Sequence, residues 1–314
     1  THIGTSVDLS SPEQSNPTIY TDENGNSYIT FVTANDGGDY DIYVYDTRDN
    51  GTIRKSISIG NRSSVTIKYD SHGTFLYNVM ITSWWFYSYG TKDTSAVADK
   101  DGNLYVSGYF DHTGIVIYDT TGETKNEYNG YETPGMFIVK FDKNGKYVWN
   151  TYCQYGVQQG YKASIDCDSE KNIIVTGVYQ SNVYVYNRVS EIQQQYDTIQ
   201  LRQGEIGIFI IKYDENGKCI WTTQINSSNY ISDGLMYVPD TCMDGDGNYY
   251  ICSQMLGGNL YLYDTRNDNE ARFSFSIPSS YLNNTLVAKY NKNGIIQWYT
   301  FVNGQTTLPY ICVD

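Results

Sequence analysis

A phrase of eight residues recurs four times along this chain. It reads TIKYDSHG around Lys68, IVKFDKNG around Lys140, IIKYDENG around Lys212 and VAKYNKNG around Lys289, at steps of 72, 72 and 77 residues. An aromatic follows each turn, at Tyr77, Trp149, Trp221 and Trp298. Two further phrases keep the same order. TDENGNSYIT, ADKDGNLYVSG, CDSEKNIIVTG and MDGDGNYYICS open their turns at Asp22, Asp99, Asp168 and Asp244, and IYVYD, IVIYD, VYVYN and LYLYD follow them. A fixed period constrains architecture more than any local propensity, because each unit must bury its apolar faces against the next.

Each period holds a strand ending in Asp, a turn, and a second strand such as NLYVSGYF. A VYVYD-type strand and its partner come next, for example Ser56–Ile59 or Phe273–Ile277, and a KYD–NG–W hairpin closes the unit. Short strands separated by Gly turns indicate an all-β fold. Four core strands plus an inserted hairpin make a large propeller blade. The chain is therefore expected to be a single β-propeller domain over 1–314. Its repeats cover about 17–92, 93–162, 163–238 and 239–308, with partial blade strands at 1–9 and 309–314. Glu191–Tyr196 and Thr124–Tyr128 have some helical character, but both are short and sit between strand signals.

The phrase GNLYVSGYF…FIVKFDKNGKYVW resembles the SBBP-type, or bacterial-type, β-propeller repeat. Units of that family read roughly Gly-Asn-x-Tyr-Val-Thr-Gly and then Phe-Val-Ala-Lys-Phe-Asp-x-x-Gly-x-x-x-Trp. The likeness covers nearly the whole chain and departs from the family where Tyr77 replaces the Trp and in the length of the inserted hairpin. It implies a scaffold of surface and secreted proteins, with no catalytic residues to carry over.

The net charge is −14, and a diffuse acidic surface repels phosphate backbones, so no nucleic-acid partner is expected. No apolar run is long enough for a spanning helix, so no membrane insertion is expected. The chain opens at Thr1 without Met or a signal pattern, as a processed or excised product would. Six cysteines, Cys153, Cys167, Cys219, Cys242, Cys252 and Cys312, include no C-x-x-C pair and are expected to be small buried residues rather than zinc ligands. Sequons at Asn50, Asn61, Asn226 and Asn283 are glycosylation candidates and point weakly to an extracellular, cell-surface or virion-surface setting.

Little in the sequence points to catalysis. His2, His72 and His112 fall in different phases of the repeat, so no triad or metal set assembles. No catalytic residue, metal or cofactor is expected. Asp99–Asn103 and Asp244–Asn248 resemble the opening of a calcium loop, yet the remaining ligands and the Glu at its twelfth position are missing. Turn capping by Asp is the expected role. The four repeated lysines suit either an anion-binding ring or pairing with strand-end acids, and pairing is preferred.

Tyr45, Tyr118, Tyr186 and Tyr263 fill one slot of the repeat, and Tyr43, Tyr184 and Tyr261 the slot two residues earlier. Period two puts both slots on one face, which suits packing between blades and also makes them interaction candidates for a sugar or another protein chain. Trp84 and Trp85 break the repeat and join that list. The reading is a non-catalytic structural or assembly protein of a cell surface, filament or virion. Its expected partner is protein, with self-assembly through the unfinished terminal strands. A lectin-like glycan binder is the alternative, and an enzyme with an axial site a further one. Trp149, Trp221 and Trp298 are expected to pack between blades.

Overall fold

The computed structural model describes residues 3–5, 17–33, 40–48, 52–60, 62–82, 94–110, 114–128, 134–155, 163–188, 194–201, 206–228, 239–255, 258–267, 270–277, 284–302 and 310–312. Among them there is no helix. β1 (Ile3–Thr5) precedes the first repeat, which supplies β2 (Thr18–Thr21), β3 (Ser27–Thr33), β4 (Tyr40–Val44), β5 (Lys55–Ile59), β6 (Ser63–Tyr69) and β7 (Phe75–Thr82). The second supplies β8 (Ser95–Ala98), β9 (Leu104–Phe110), β10 (Ile115–Tyr118), β11 (Thr124–Tyr128), β12 (Gly135–Phe141) and β13 (Tyr147–Tyr155). The third supplies β14 (Ser164–Cys167), β15 (Ile173–Tyr179), β16 (Val183–Asn187), β17 (Gln194–Ile199), β18 (Ile206–Tyr213) and β19 (Cys219–Ser227). The fourth supplies β20 (Asp240–Met243), β21 (Tyr249–Met255), β22 (Gly258–Leu262), β23 (Phe273–Ile277), β24 (Asn284–Tyr290) and β25 (Ile296–Val302). Thr124–Tyr128 is thus a strand, and residues 194–196 open another.

Four antiparallel meanders form the blades of a β-propeller: β2-β3-β6-β7, β8-β9-β12-β13, β14-β15-β18-β19 and β20-β21-β24-β25. The inner strands pack in sequence, β2 on β8, β8 on β14 and β14 on β20. Three apolar clusters each draw on two neighbouring blades. Tyr77 and Val79 of blade one pack with Leu104, Val106 and Phe137 of blade two. Trp149 and Ile138 pack with Ile173 and Phe209, and Ile210 and Ile225 pack with Tyr249 and Leu286. The apolar core therefore lies between blades, as a stacked repeat requires.

The inserted hairpin does not join the sheet of its own repeat. β10 pairs with β7 of the preceding blade, matching Val116 with Thr82, Ile117 with Ile81 and Tyr118 with Met80. β16 pairs with β13 and β22 with β19 in the same way, and β4 pairs with β1. For β4, Ile3–Thr5 takes the place that the outer strand of the preceding blade takes for the other hairpins. The apolar face of a hairpin still packs on its own blade: Ile42, Val44, Ile57 and Ile59 cover Val65, Ile67 and Tyr69.

Polar ties anchor the hairpin to its own blade too. A residue closing its first strand accepts the first N–H of its own outer strand: Asp46 from Phe75 at 3.2 Å, Asp119 from Tyr147 at 3.2 Å and Asn187 from Cys219 at 2.6 Å. The next backbone N–H reaches the outer-turn carbonyl: Thr47 to Gly73, Thr120 to Gly145, Arg188 to Gly217 and Thr265 to Gly294, at 3.0–3.3 Å. A β-bulge sits beside each tie, leaving Leu76, Val148, Ile220 and Gln297 outside the ladder. Leu76, Val148 and Ile220 are consequently exposed.

One cross-strand pair shows how the repeats trade volume. Gly108 faces Phe137 and Gly177 faces Phe209. A Cβ on Gly177 would lie 2.5 Å from the Phe209 ring, so that ring occupies the space of the missing side chain. In blade one the order inverts, Phe31 facing Val65, and in blade four Ser253 faces Leu286. The pair fills the layer whichever strand carries the ring.

The repeated Trp joins neighbouring blades. Trp149 is 1% exposed, and its indole N–H donates to the Glu215 carbonyl of the next blade at 3.1 Å. Trp221 is half-buried and donates to the Lys292 carbonyl at 3.1 Å. Trp298 departs from the expectation, at 44% exposed. It belongs to the fourth blade, and among the described residues no further outer turn covers it. Trp149→Ala is therefore expected to cost about 3–5 kcal/mol, and Trp298→Ala to change stability by about 1 kcal/mol or less. Denaturant midpoints of the two variants, measured side by side, check this difference.

Candidate functional site

Two places were open to function, the axial ends of the blades and the perimeter hairpins. At the axis, each inner turn is organised by its first Asp. Asp22 Oδ1 accepts the Asn24 and Asn26 backbone N–H groups at 3.0 and 2.9 Å, while Oδ2 accepts the Asn26 amide at 2.8 Å and the Tyr28 hydroxyl at 3.2 Å. Asp99 and Asp244 repeat this pattern, with Tyr105 and Tyr250 donating. These carboxylates spend their acceptor capacity inside the turn, as turn chemistry expects. Gly25, Gly102 and Gly247 take positive φ there, and Lys171 alone does so with a side chain, at φ 67°. Its ammonium bridges Asp101 at 2.9 Å and Glu215 at 2.8 Å, a local compensation for that conformation.

Two of the repeated lysines pair with inner-turn acids, Lys212 with Asp168 and Lys289 with Asp244 at 3.7 Å, and one residue of the repeat decides how the lysines are held. Where the inner turn carries Tyr, the ammonium lies over the ring: Lys68 over Tyr28 at 4.8 Å, Lys140 over Tyr105 at 4.9 Å, Lys289 over Tyr250 at 4.7 Å. The third repeat has Ile174 in that slot. Asp168 then lacks a phenol, and Lys212 reaches its carboxylate directly at 3.0 Å with both groups buried. Burial lowers the Lys68 and Lys140 ammonium groups, against the pull of Asp22 and Asp99. Lys140 also donates to the Glu215 carbonyl at 2.9 Å, beside the Trp149 tie. These lysines brace the blades.

A pocket of about 190 Å³ lies against the inner turns, lined by Tyr20, Asp22, Asp99, Cys167, Asp168 and Asp244 among others. The Tyr20 hydroxyl and the Cys167 thiol both donate to the Ala98 carbonyl, at 3.1 and 3.3 Å. Among the described residues, no three His, Cys, Asp or Glu side chains gather as a ligand set. Cys153, Cys219, Cys242 and Cys252 are buried as expected, whereas Cys312 is exposed.

The perimeter tyrosines divide. Tyr184 is 39% exposed, and Tyr43, Tyr45, Tyr118, Tyr186 and Tyr261 are half-buried. Tyr186 packs on Tyr152 at 4.6 Å with the rings tilted by 39°, and donates to Gln154 at 2.9 Å. Tyr263 is 1% exposed and belongs to the interior, so it leaves the interaction set. It follows the end of β22, and its backbone N–H donates to the Gln224 carbonyl of the preceding blade at 3.1 Å. Tyr118 lines an open groove of about 370 Å³ on the perimeter, together with Lys55, Ser58, Asn78 and Thr82. Trp84, Trp85, Asn50, Asn61 and Asn283 lie outside the described residues.

Asn226 requires a correction. It is 0% exposed within β19, and its side-chain oxygen accepts the Tyr179 hydroxyl at 2.8 Å. A folded chain offers no access to that amide, so this sequon is closed to glycosylation.

Sequence reasoning missed Asp166 on β14. It accepts the Met243 backbone N–H across the seam to blade four at 2.5 Å, and the Cys167 N–H at 2.9 Å. Burial pushes its carboxyl up to about 6, the two N–H groups pull it down, and Asp240 and Asp168 add repulsion. The corresponding slots hold Tyr20, Val97 and Cys242, so the repeat pattern gave no signal for an acid here. The folded pKa lies above the ordinary carboxylate value of 3.8, so the native state binds this proton more tightly than the unfolded chain does. Asp166 therefore costs about 1–3 kcal/mol above pH 6, and that cost is relieved as pH falls from about 7 toward 4. Asp166→Asn should raise the melting temperature at pH 7.5 and flatten its rise on acidification. Thermal melts of both proteins from pH 7.5 to 4.5 check this.

No protein-family model matches the chain. An uncharacterized WD repeat-containing protein of Acanthamoeba polyphaga mimivirus is 28% identical over 216 residues, which cover 64% of this chain. The chain spans only 15% of that protein's length. WD repeats are propeller units, and the four meanders here have the same architecture. The chain is a β-propeller repeat protein.

Proposed function

We propose that this chain is a non-catalytic binding and assembly scaffold whose perimeter recognises protein. The observation that carries this reading is the contrast between axis and rim. The axial carboxylates, phenols and ammonium groups are spent on turns and on ties between blades. The rim keeps aromatic rings at the surface, with Tyr184 exposed and Tyr118 in an open groove beside Lys55. Half-exposed aromatics next to polar groups suit protein partners. The likeness to a WD repeat-containing protein supports the same reading. The finer parts of the proposal are an SBBP-type repeat and an extracellular place on a cell surface, filament or virion. They rest on the repeat motif.

Capture of partners from the native source, competed with purified variants, tests the proposal. Tyr118→Ala and Tyr184→Ala are expected to keep the wild-type melting temperature and to compete at least tenfold less well, a loss of about 1.4 kcal/mol. Turnover of an ester or glycoside panel that survives repurification and falls with Asp22→Asn would overturn it.

A further inference from the structure

Each repeat ends its inserted hairpin with a strand at the outer margin of a sheet: β5, β11, β17 and β23. Such margins present unpaired backbone groups and template association unless charge or irregularity blunts them. Three of the four carry charge. β5 holds Lys55, β11 holds Lys125 and Glu127, and β17 holds Asp197. β23 reads Phe-Ser-Phe-Ser-Ile, with neither charge nor proline. It alternates strictly, and among the described residues its ladder is made to β22 alone.

A second observation falls at the same place. Phe273 and Phe275 stand on one face of β23 and pack on Tyr299 and Phe301 of β25, with Phe275 and Tyr299 stacked at 5.1 Å. All four rings are only partly buried; Trp298 and Val302, 44% and 53% exposed, alternate onto the other face of β25. A bare edge and an aromatic patch thus lie side by side on the fourth repeat.

We infer that the outer edge of β23 pairs with the β23 edge of a second copy of this chain, antiparallel and about a two-fold axis. The segment is its own complement. Run antiparallel, its apolar and serine positions meet like with like, and no charge opposes its twin. The six-stranded sheet ending in β23 then continues into the sheet of the partner copy. The two aromatic patches converge across the same axis, which gives the contact an apolar component as well as a ladder. An unrelated extended peptide would gain the ladder without the matched patch, which favours a second copy. The inference deepens the assembly part of the proposed function and names the strand that carries it.

Sedimentation velocity over the soluble concentration range tests it, with hydrogen exchange on residues 273–277 read at the lowest and highest concentrations. Ser274 is exposed, so Ser274→Lys adds the missing edge charge without disturbing the interior. Ser56→Lys places the same charge at the matching position of β5 and serves as the control. The expected result is a concentration-dependent dimer for the wild type and for Ser56→Lys, with slowed exchange at 273–277. Ser274→Lys is expected to be a monomer with the wild-type melting temperature. A wild-type monomer at every concentration, or a Ser274→Lys protein that dimerises as well as the wild type, would overturn the inference. A monomer that still captures protein through Tyr118 and Tyr184 would leave the scaffold reading standing.

Discussion

A short backbone ladder holds this architecture in register. Three inserted hairpins give their first strand to the blade before their own, over matched positions such as Val116–Tyr118 on Met80–Thr82, and β4 pairs with β1. The apolar face of the hairpin packs on its own blade, and Asp119 or its equivalents bind the hairpin end to that blade's outer strand. Two neighbouring meanders are thereby joined at their rims by hydrogen bonds. Apolar packing is non-directional and sets no register by itself. The ladder supplies direction, and the buried Trp and Lys ties have a fixed geometry to meet. Trp149 and Lys140 converge on one carbonyl, that of Glu215.

Within that frame the repeat tolerates substitution where a neighbour absorbs the change. Ile174 in place of the turn Tyr removes a phenol donor, and Lys212 moves onto Asp168. Lys171 in place of a turn Gly accepts a left-handed backbone and gains two carboxylate partners. Phe31 with Val65 puts the ring on the other strand of the pair. Each case shows a local loss met by a local gain, which is how units of low identity keep one shape.

The period, the four meanders and the Asp-capped turns were readable because each leaves a direct chemical mark: Gly at positive φ, Asp two residues before a donor, alternation along a strand. The destination of the hairpin was not. Alternation identifies a strand and its two faces but says nothing about which edge lies beside it. The same blindness explains Tyr263 and Trp298. Both occupy repeated slots, yet one is buried and the other lies on the fourth blade's uncovered face. The Asn226 sequon is a three-residue pattern that carries no information on depth. Asp166 stood in a slot shared with Tyr20, Val97 and Cys242, where no common chemistry marked it.

The hairpin that straddles two sheets puts the genetic repeat and the structural blade out of phase. A segment copied in tandem, from one inner turn to the next, arrives with a donor strand for the sheet before it and an outer strand to receive the following hairpin. Arrays of this kind can lengthen by duplication without creating a bare margin in their interior. Recombination in such a gene is thus constrained by the positions of hydrogen bonds, and the viable breakpoints are those that keep each hairpin with the unit that encodes it.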